Sequence, residues 1–322
     1  MNEWQPTASL GTLKLKARML SQLRAFFAEK DILEVQTPLL SQAGNTEPSI
    51  ESFATLQQHY NKPSFLNTSP EFAMKRLLAA GSGSIYQIAA AFRYSEQGRK
   101  HNPEFTLLEW YRIGFDHHAL MKEVDALIRG LAKGFLLFDR SQFYTYQDAM
   151  IKFADIDPVT ASIEELKLAT QKAGVDAVGM EDVSRDLWLD LLMSEVVEKK
   201  LPLNCPVFIY NYPASQAALA KISKDSPDIA ERFELYINGV ELANGFHELT
   251  DAKEQEQRFL KQQAMRKELN LSKVPIDNYL ISALEQGLPD CAGVAIGLDR
   301  VLMLLTGASH IDEVLTFPFD RA

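Results

Sequence analysis

The sequence has 322 residues, of which 46% are hydrophobic and 24% charged, a composition typical of a globular protein with an ample core. Its formal net charge of −10 argues against a general binder of nucleic acid, because such binding needs many cations, but it leaves room for a local cationic pocket. Two cysteines give no disulfide framework, no apolar run approaches the roughly 18 residues of a membrane span, and the N-terminus lacks the pattern of a signal peptide. A cytoplasmic location is therefore expected.

The first predicted elements are a helix, a short extended run and a second helix. Residues 12–29 carry apolar side chains at steps of three and four, which predicts an amphipathic helix. The extended run ILEVQTP ends at Pro38. The second helix follows TSPE, with Pro70 at its first position.

Residues 85–93 and 104–111 predict an antiparallel strand pair joined by a basic loop. Arg93 lies at the end of the first strand, where a guanidinium can grip a phosphate through two hydrogen bonds. Arg99 and His101 could reach the outer phosphates of the same ligand. The alternative is a solvated charged loop.

The middle of the chain offers no obvious chemistry. Residues 117–135 predict a helix, and residues 146–204 predict a polar, helix-rich insertion. The six histidines contain no HxxxH pair, so their spacing predicts no zinc site. The run DHH at 116–118 is expected to be a solvated turn.

A hairpin is predicted around Asn238-Gly239, the preferred pair for a tight turn between strands. Beyond it, Glu241 and Glu248 are carboxylates of the kind that bind Mg²⁺ together with phosphates. Seven residues apart in a regular strand they would face opposite ways, and a β-bulge or bend at Gly245 would bring them to one side. The alternative is two unrelated surface acids.

The last predicted strand and helix, GVAIGLDR and its continuation, place Arg300 at their junction. Both common glycine-rich phosphate loops are missing, so side chains and metal must hold any nucleotide. Glu71, Glu109 and Tyr111 would suit a substrate that carries ammonium groups. The alternative is that these acids form ion pairs with Lys75, Arg76 or Arg112.

These motifs resemble a known family. The helix and strand that end at Pro38 resemble the first motif of class II aminoacyl-tRNA synthetases, FRYSEQGRKHNPEFTLLEWY resembles the second, and GVAIGLDR the third. The segments TSPE, HNPEFT and ELANGFHEL are specifically similar to lysyl-tRNA synthetases. Two departures, a catalytic domain that begins almost at Met1 without an anticodon-binding β-barrel and Ala295 in place of a glycine, resemble the stand-alone elongation factor P (R)-β-lysine ligases.

The resemblance implies an α+β fold: one class II synthetase-like domain over residues 1–322, with an antiparallel sheet flanked by helices and the insertion at 146–204. It implies catalytic roles for Arg93, Arg300 and Glu241, and Mg²⁺ binding by Glu241 and Glu248. It implies an amino-acid site made of Ser69, Pro70, Glu71, Glu109, Tyr111, Glu248 and Ala295. It implies an ATP site made of Arg93, Tyr94, Ser95, Asn102, Glu241, Leu242, Gly297 and Arg300.

One position departs from the family pattern. The second motif usually reads FRNE, with glutamate two residues after the arginine, whereas Ser95 stands there in this chain and the acid is Glu96. Either the loop is shifted by one residue, or the contact to adenine is remade from backbone groups.

The implied activity is ATP-dependent activation of (R)-β-lysine or lysine as an aminoacyl-adenylate, followed by transfer to a lysine side chain of elongation factor P. The resemblance further implies a homodimer that pairs through the first motif and forms no stable complex with tRNA. Three alternatives stay open: a truncated lysyl-tRNA synthetase that charges tRNA, another amino-acid-activating enzyme of class II, and a catalytically inactive dimeric paralogue.

Overall fold

The structure, a computed structural model, describes residues 4–57, 62–180 and 183–322. The chain forms two units. Unit 1 comprises Met1–Phe115 and Thr250–Ala322, and unit 2 comprises Asp116–Leu249. Within the described ranges, no helix combines the length and apolar character needed to cross a bilayer.

The secondary structure elements are numbered in chain order. The strands are β1 (Leu33–Glu34), β2 (Leu40–Ser41), β3 (Ala54–Gln57), β4 (Lys62–Leu66), β5 (Ile85–Phe92), β6 (Glu104–Ile113), β7 (Gln142–Thr145), β8 (Val207–Pro213), β9 (Ile229–Ile237), β10 (Val240–His247) and β11 (Cys291–Gly297). The α-helices are α1 (Leu10–Ala28), α2 (Glu71–Ala79), α3 (His117–Ala132), α4 (Tyr146–Ala149), α5 (Ile163–Lys172), α6 (Arg185–Leu192), α7 (Glu198–Lys200), α8 (Ala252–Glu268), α9 (Asn278–Gly287) and α10 (Leu298–Thr306).

In unit 1 the strands run in the order β1-β5-β6-β11, and a small second sheet has the order β2-β4-β3. The pair β5–β6 is antiparallel, as predicted. The pair β6–β11 is antiparallel too, whereas β1 runs parallel to β5. The helix α1 packs on this sheet through Phe27, whose ring stacks on Tyr86 at 4.2 Å and meets the edge of Trp110 at 5.4 Å. All three side chains are buried, so the helix predicted at 12–29 is part of the core of unit 1.

In unit 2 the strands run in the order β10-β9-β8-β7. The predicted hairpin is confirmed: β9 and β10 are antiparallel, and both turn residues are left-handed, with φ of 51° at Asn238 and 67° at Gly239. The pair β7–β8 is parallel. Only the alternation along each strand was readable from the sequence, and it does not fix the direction of a partner.

Residues 146–204 are helix-rich, as predicted, but they are not simply polar. Their helices α4 to α7 enclose a buried apolar cluster around Trp188 and Leu192, and this cluster also takes in Val207 and Ile209 of strand β8. The segment therefore shares its core with the sheet of unit 2. Its assignment as an insertion in a single catalytic domain stays a prediction.

The expectation of a solvated turn at 116–118 is wrong. Asp116 is the N-cap of α3, where its carboxylate accepts from the N–H of Ala119 at 2.7 Å, and His117 is the first residue of the helix. His117 is 5% exposed, while His118 is exposed. Burial, and then the neighbouring His118, lower the pKa of His117 to about 4. The polar sequence DHH gave no indication that the imidazole of His117 is buried.

Candidate active site

The predicted basic loop connects β5 to β6. At its base the N–H of Arg93 donates to the carbonyl of Pro103 at 2.9 Å. At its tip Gly98 and His101 exchange two backbone hydrogen bonds of 3.1 Å each. The antiparallel strands thus fix both ends of the loop and set Arg93 at its start.

The guanidinium of Arg93 is partly engaged. Its Nη1 lies 3.2 Å from a carboxylate oxygen of Glu96, and its carbon lies 5.0 Å from the centre of the Phe105 ring. Its Nε is buried and has no hydrogen-bond partner among the residues that the structure describes. Ser95 is left-handed, with φ of 66°, and the chain turns there so that Glu96 comes back to Arg93. Both alternatives for the adenine contact, a loop shifted by one residue and a contact remade from backbone groups, stay predictions.

Two further residues predicted to bind ATP, Tyr94 and Asn102, make contacts within unit 1. The half-exposed ring of Tyr94 meets Phe53 edge-on at 5.3 Å. Asn102 is buried, accepts from the N–H of Phe319 at 3.0 Å and donates to the carbonyl of Glu104 at 2.6 Å. Any role of these two residues in ATP binding stays a prediction.

The C-terminal segment of unit 1 lies against the basic loop. The guanidinium of Arg99 donates to the carbonyl of Ser309 at 2.8 Å, and the N–H of Ile311 donates back to the carbonyl of Arg99 at 2.9 Å. Beside this contact lies a pocket of about 280 Å³. It is lined by Gln97, Gly98, His101, Asn102, His310, Asp312, Pro318, Phe319 and Asp320. Arg99 therefore holds the loop to the segment at 309–311, which the sequence did not predict.

Arg300 reaches the same loop from α10, whose N-cap is Gly297. Its Nη2 lies 2.7 Å from Nε2 of His101, and its Nε lies 3.4 Å from the carbonyl of Lys100. Since a guanidinium has no acceptor, the His101 nitrogen accepts this bond. Partial burial, then the charge of Arg300, and less strongly that of Arg93, lower the pKa of His101. The charges of both predicted arginines thus disfavour protonation of the His101 imidazole.

A buried ion pair fixes the start of α10. Lys16 Nζ lies 2.8 Å from one carboxylate oxygen of Asp299, and the other oxygen accepts from the N–H of Thr106 at 2.7 Å. Asp299 is 2% exposed and lies in the first turn of the helix, where negative charge is favourable. The sequence reasoning missed this positioning group, although Asp299 stands next to Arg300 in GLDR.

The predicted amino-acid site is formed in part by the centre of the sheet in unit 1. Glu109 and Tyr111 are each 2% exposed, and the phenol donates to the Glu109 carboxylate at 2.6 Å. In the β6–β11 register Glu109 lies opposite Ala295. Paired residues of adjacent strands project to the same face, so the methyl group of Ala295 lies beside the carboxylate of Glu109.

Ser69, Pro70 and Glu71 form the start of α2, as predicted. The hydroxyl of Ser69 accepts from the N–H of Glu71 at 3.0 Å, and Pro70 is the N-cap. The Glu71 carboxylate lies 2.7 Å from Nζ of the buried Lys75. Glu71 therefore forms the ion pair with Lys75 that was the alternative to binding a substrate ammonium.

In unit 2 a β-bulge places the two predicted magnesium ligands on one face. The register shifts between Glu241, opposite Tyr236, and Ala243, opposite Leu235, so Leu242 is the extra residue. From that point Glu248 shares the side of Glu241. The predicted β-bulge, which two acids seven residues apart need in order to share a face, is present. Its predicted position at Gly245 is wrong, because the extra residue is Leu242.

The same face of the hairpin carries a charged cluster that the sequence reasoning missed. Arg232 pairs with Glu234 at 2.5 Å and donates to the side-chain oxygen of Asn244 at 3.3 Å. The phenols of Tyr212 and Tyr236 both donate to Glu234. Burial, and then Glu234, raise the pKa of both tyrosines. Alternation in RFELY places residues 232, 234 and 236 together and was the available signal.

Comparison with known proteins agrees with these motifs. The family of class II tRNA synthetases (D, K and N) matches residues 5–321. A protein of Vibrio cholerae named elongation factor P–(R)-β-lysine ligase is 50% identical over 100% of this chain and 99% of its own length. Proteins of the same name from Vibrio parahaemolyticus and Proteus mirabilis are 51% and 46% identical, over 99% of this chain and 99% and 98% of their own lengths.

These matches extend over nearly the whole chain, and the identity to the curated relatives is close to one half. The resemblance read from the three motifs is therefore confirmed, and with it the α+β fold class. The chain belongs to the class II tRNA synthetases of the D, K and N group and, within that group, to the family of elongation factor P–(R)-β-lysine ligases.

Proposed function

We propose that the protein activates a lysine isomer, with (R)-β-lysine as the preferred one, and joins it to a lysine side chain of elongation factor P. The substrate carboxylate attacks the α-phosphate of ATP and displaces pyrophosphate, which leaves an aminoacyl-adenylate. The acceptor amine then attacks the acyl carbon, AMP leaves, and the amine nitrogen loses a proton. The main support for the proposal is the sequence identity of 50% and 51%, over nearly the full length, to two relatives named elongation factor P–(R)-β-lysine ligase.

The arginines of unit 1 suit the nucleotide. Arg93 keeps a buried Nε donor that has no other partner in the described part of the chain, so it can bind the α-phosphate and the charge that grows there during attack. Arg300 and His101 are already in contact and would face the outer phosphates. A neutral imidazole can accept a proton there.

The buried pair Glu109 and Tyr111 suits the ammonium groups of a diamino acid. The Glu109 carboxylate is 2% exposed, and a negative charge in a buried position can attract a substrate ammonium. The methyl group of Ala295 takes up space beside Glu109 on the same face of the sheet, where a glycine would leave that space open. We propose that this methyl selects against ordinary α-lysine.

The carboxylates of Glu241 and Glu248 fit a magnesium ion, since the bulge at Leu242 sets both on one face and oxygen donors are what Mg²⁺ prefers. Bound there, Mg²⁺ would offset the negative charge of nucleotide phosphates. Their assignment rests on the family resemblance and on this shared face.

We also propose that the protein is a homodimer that pairs through its first motif. The chain around α1 and β1 exposes several large apolar side chains: Trp4, Leu10, Leu33, Leu39 and Leu40 are 41–74% exposed. Exposed large apolar side chains are a common feature of interaction surfaces. Light scattering at micromolar concentration should give twice the chain mass, and a monomer would contradict the dimer.

The decisive experiment is intact-mass analysis of elongation factor P after incubation with the protein, ATP and each lysine isomer. We expect a mass increase of one lysyl group, largest with (R)-β-lysine, and loss of that increase with Arg93→Ala. An acylation assay with lysine tRNA runs in parallel. Charged tRNA with unmodified elongation factor P would overturn the proposal, as would ATP binding without pyrophosphate exchange.

A further inference from the structure

Unit 2 brings together three metal-ligating side chains that the proposed reaction does not use. They come from three elements: His117 from the start of α3, Glu231 from β9 and His247 from the end of β10. One ligand atom from each lies within 4.8 Å of the other two. His117 and His247 are 5% and 7% exposed, and the Glu231 side chain is 19% exposed.

The hairpin register explains part of this convergence. Phe233 lies opposite Gly245 and Arg232 opposite Phe246, so the next step of the ladder sets Glu231 against His247. Nδ1 of His247 makes a short hydrogen bond with the Glu231 carboxylate. The sheet thus supplies two ligands side by side, and α3 adds the third.

His117 has the hydrogen bonding of a metal ligand. Its Nε2 lies 3.1 Å from the side-chain oxygen of Asn211 and donates to it. That bond fixes the tautomer and leaves the lone pair of Nδ1 bare. Nδ1 is buried and has no hydrogen-bond partner in the described part of the chain. Histidines that bind metals commonly donate their other nitrogen to an oxygen in this way.

We propose that His117, Glu231 and His247 bind a divalent transition metal, Zn²⁺ in the first place. Two imidazoles and one carboxylate are a known ligand set for Zn²⁺, with a fourth position left for water. At bond lengths of about 2.0–2.1 Å the ligand atoms of a tetrahedral site stand roughly 3.4 Å apart. The widest pair, within 4.8 Å, must therefore close by about 1.4 Å at most, whereas the hydrogen-bonded pair Glu231 and His247 must open to admit the ion. The metal replaces the proton shared by Glu231 and His247, and that proton is released.

The site is separate from the predicted magnesium ligands. Residues 231, 233 and 247 share one face of the hairpin, whereas residues 232, 234 and 248 share the other, because successive strand residues alternate. The partly exposed carboxylate of Glu231 gives the ion a way in. The metal would link the first residue of α3 to the β9–β10 hairpin through shared coordination, and this link would stabilise unit 2.

The test is binding of Zn²⁺ and Co²⁺ to the full chain after chelation and dialysis. We expect one Zn²⁺ per chain in competition with a chromophoric chelator, a rise in the unfolding temperature with Zn²⁺, and the intense visible absorption of tetrahedral Co²⁺. These wild-type measurements need no variant to fold. Failure to compete for micromolar Zn²⁺, or only the weak absorption of octahedral Co²⁺, would overturn the proposal.

Variants locate the ion. His117→Gln, Glu231→Gln and His247→Gln should each weaken Zn²⁺ binding by about a hundredfold or more. Asn211→Gly should weaken Zn²⁺ binding by about tenfold to a hundredfold, because it removes the oxygen that accepts from Nε2 of His117. Glycine is chosen because it still permits the left-handed backbone at position 211, where φ is 59°. His118→Gln is the matched control, because this neighbour is exposed and outside the trio. Loss of binding in His118→Gln, or unchanged binding in His247→Gln, would mean a surface site and would overturn the proposal.

Discussion

Replacing Lys16 by methionine tests whether the buried ion pair holds the start of α10, and hence Arg300, in place. The substitution keeps most of the alkyl stem and removes the ammonium. Asp299, 2% exposed, then keeps the N–H of Thr106 and the helix N-terminus as favourable neighbours. A buried carboxylate that loses its cation is the costly case, because its solvation is not restored.

The magnitude follows from the geometry. At 2.8 Å and an effective dielectric constant of about 20, the attraction is about 6 kcal/mol before desolvation is subtracted. Removing one partner of a buried pair typically costs about 3–5 kcal/mol. The Lys16 side chain is 22% exposed and Asp299 keeps two other favourable contacts, so we expect about 2–3 kcal/mol.

The assay is urea unfolding at fixed temperature, with Lys14→Met as the matched control on the same helix. Lys14 is exposed, so its replacement should change the unfolding free energy by about 0.5 kcal/mol or less. The double variant Lys16→Met with Asp299→Asn should be no less stable than Lys16→Met alone, since the unpaired charge is gone. Equal stabilities of Lys16→Met and Lys14→Met would refute the reasoning.

Three further predictions concern the reaction. Arg93→Ala should lower lysine-dependent ATP–pyrophosphate exchange by about 10²–10³-fold, and retained exchange would remove Arg93 from phosphate binding. Ala295→Gly should shift the ratio of kcat/KM toward α-lysine by about tenfold or more, and an unchanged ratio would exclude this methyl as the discriminator. The pKa of His101 is lowered in the free protein, and bound triphosphate should raise it, so ATP should bind more tightly as the pH falls from about 8 to about 6. His101→Gln should lose that dependence in calorimetric titrations, whereas a dependence equal to that of the wild type would contradict it.

Local patterns predicted those parts of the fold that local chemistry decides. Asn238-Gly239 specified the hairpin because both residues accept a left-handed backbone at little cost. The alternation on either side of the basic loop specified the β5–β6 pair and so located Arg93. The motif spacing then identified the family, and the register of β11 brought Ala295 beside Glu109.

Features set by packing between distant segments were not predictable in the same way. The sequence required a bulge in β10 but could not place it, because an extra residue at Leu242 or Gly245 gives the same parity. For Glu71 the sequence left two possibilities open, a substrate ammonium and an ion pair with Lys75, and the structure shows the ion pair. The spacing of histidines suggested no zinc site, since His117 and His247 are 130 positions apart and meet only in the folded unit.

The contacts of Arg99 with Ser309 and Ile311, and of Asn102 with Phe319, make the motif-two loop dependent on a stretch of chain some two hundred positions further on. Substitutions in the later stretch can therefore alter the conformation of this loop while the signature itself stays unchanged. Among diverging relatives, substitutions at 97–102 should co-vary with those at 309–320. A mutational survey confined to the signature would miss the positions at 309–320 that contact the loop.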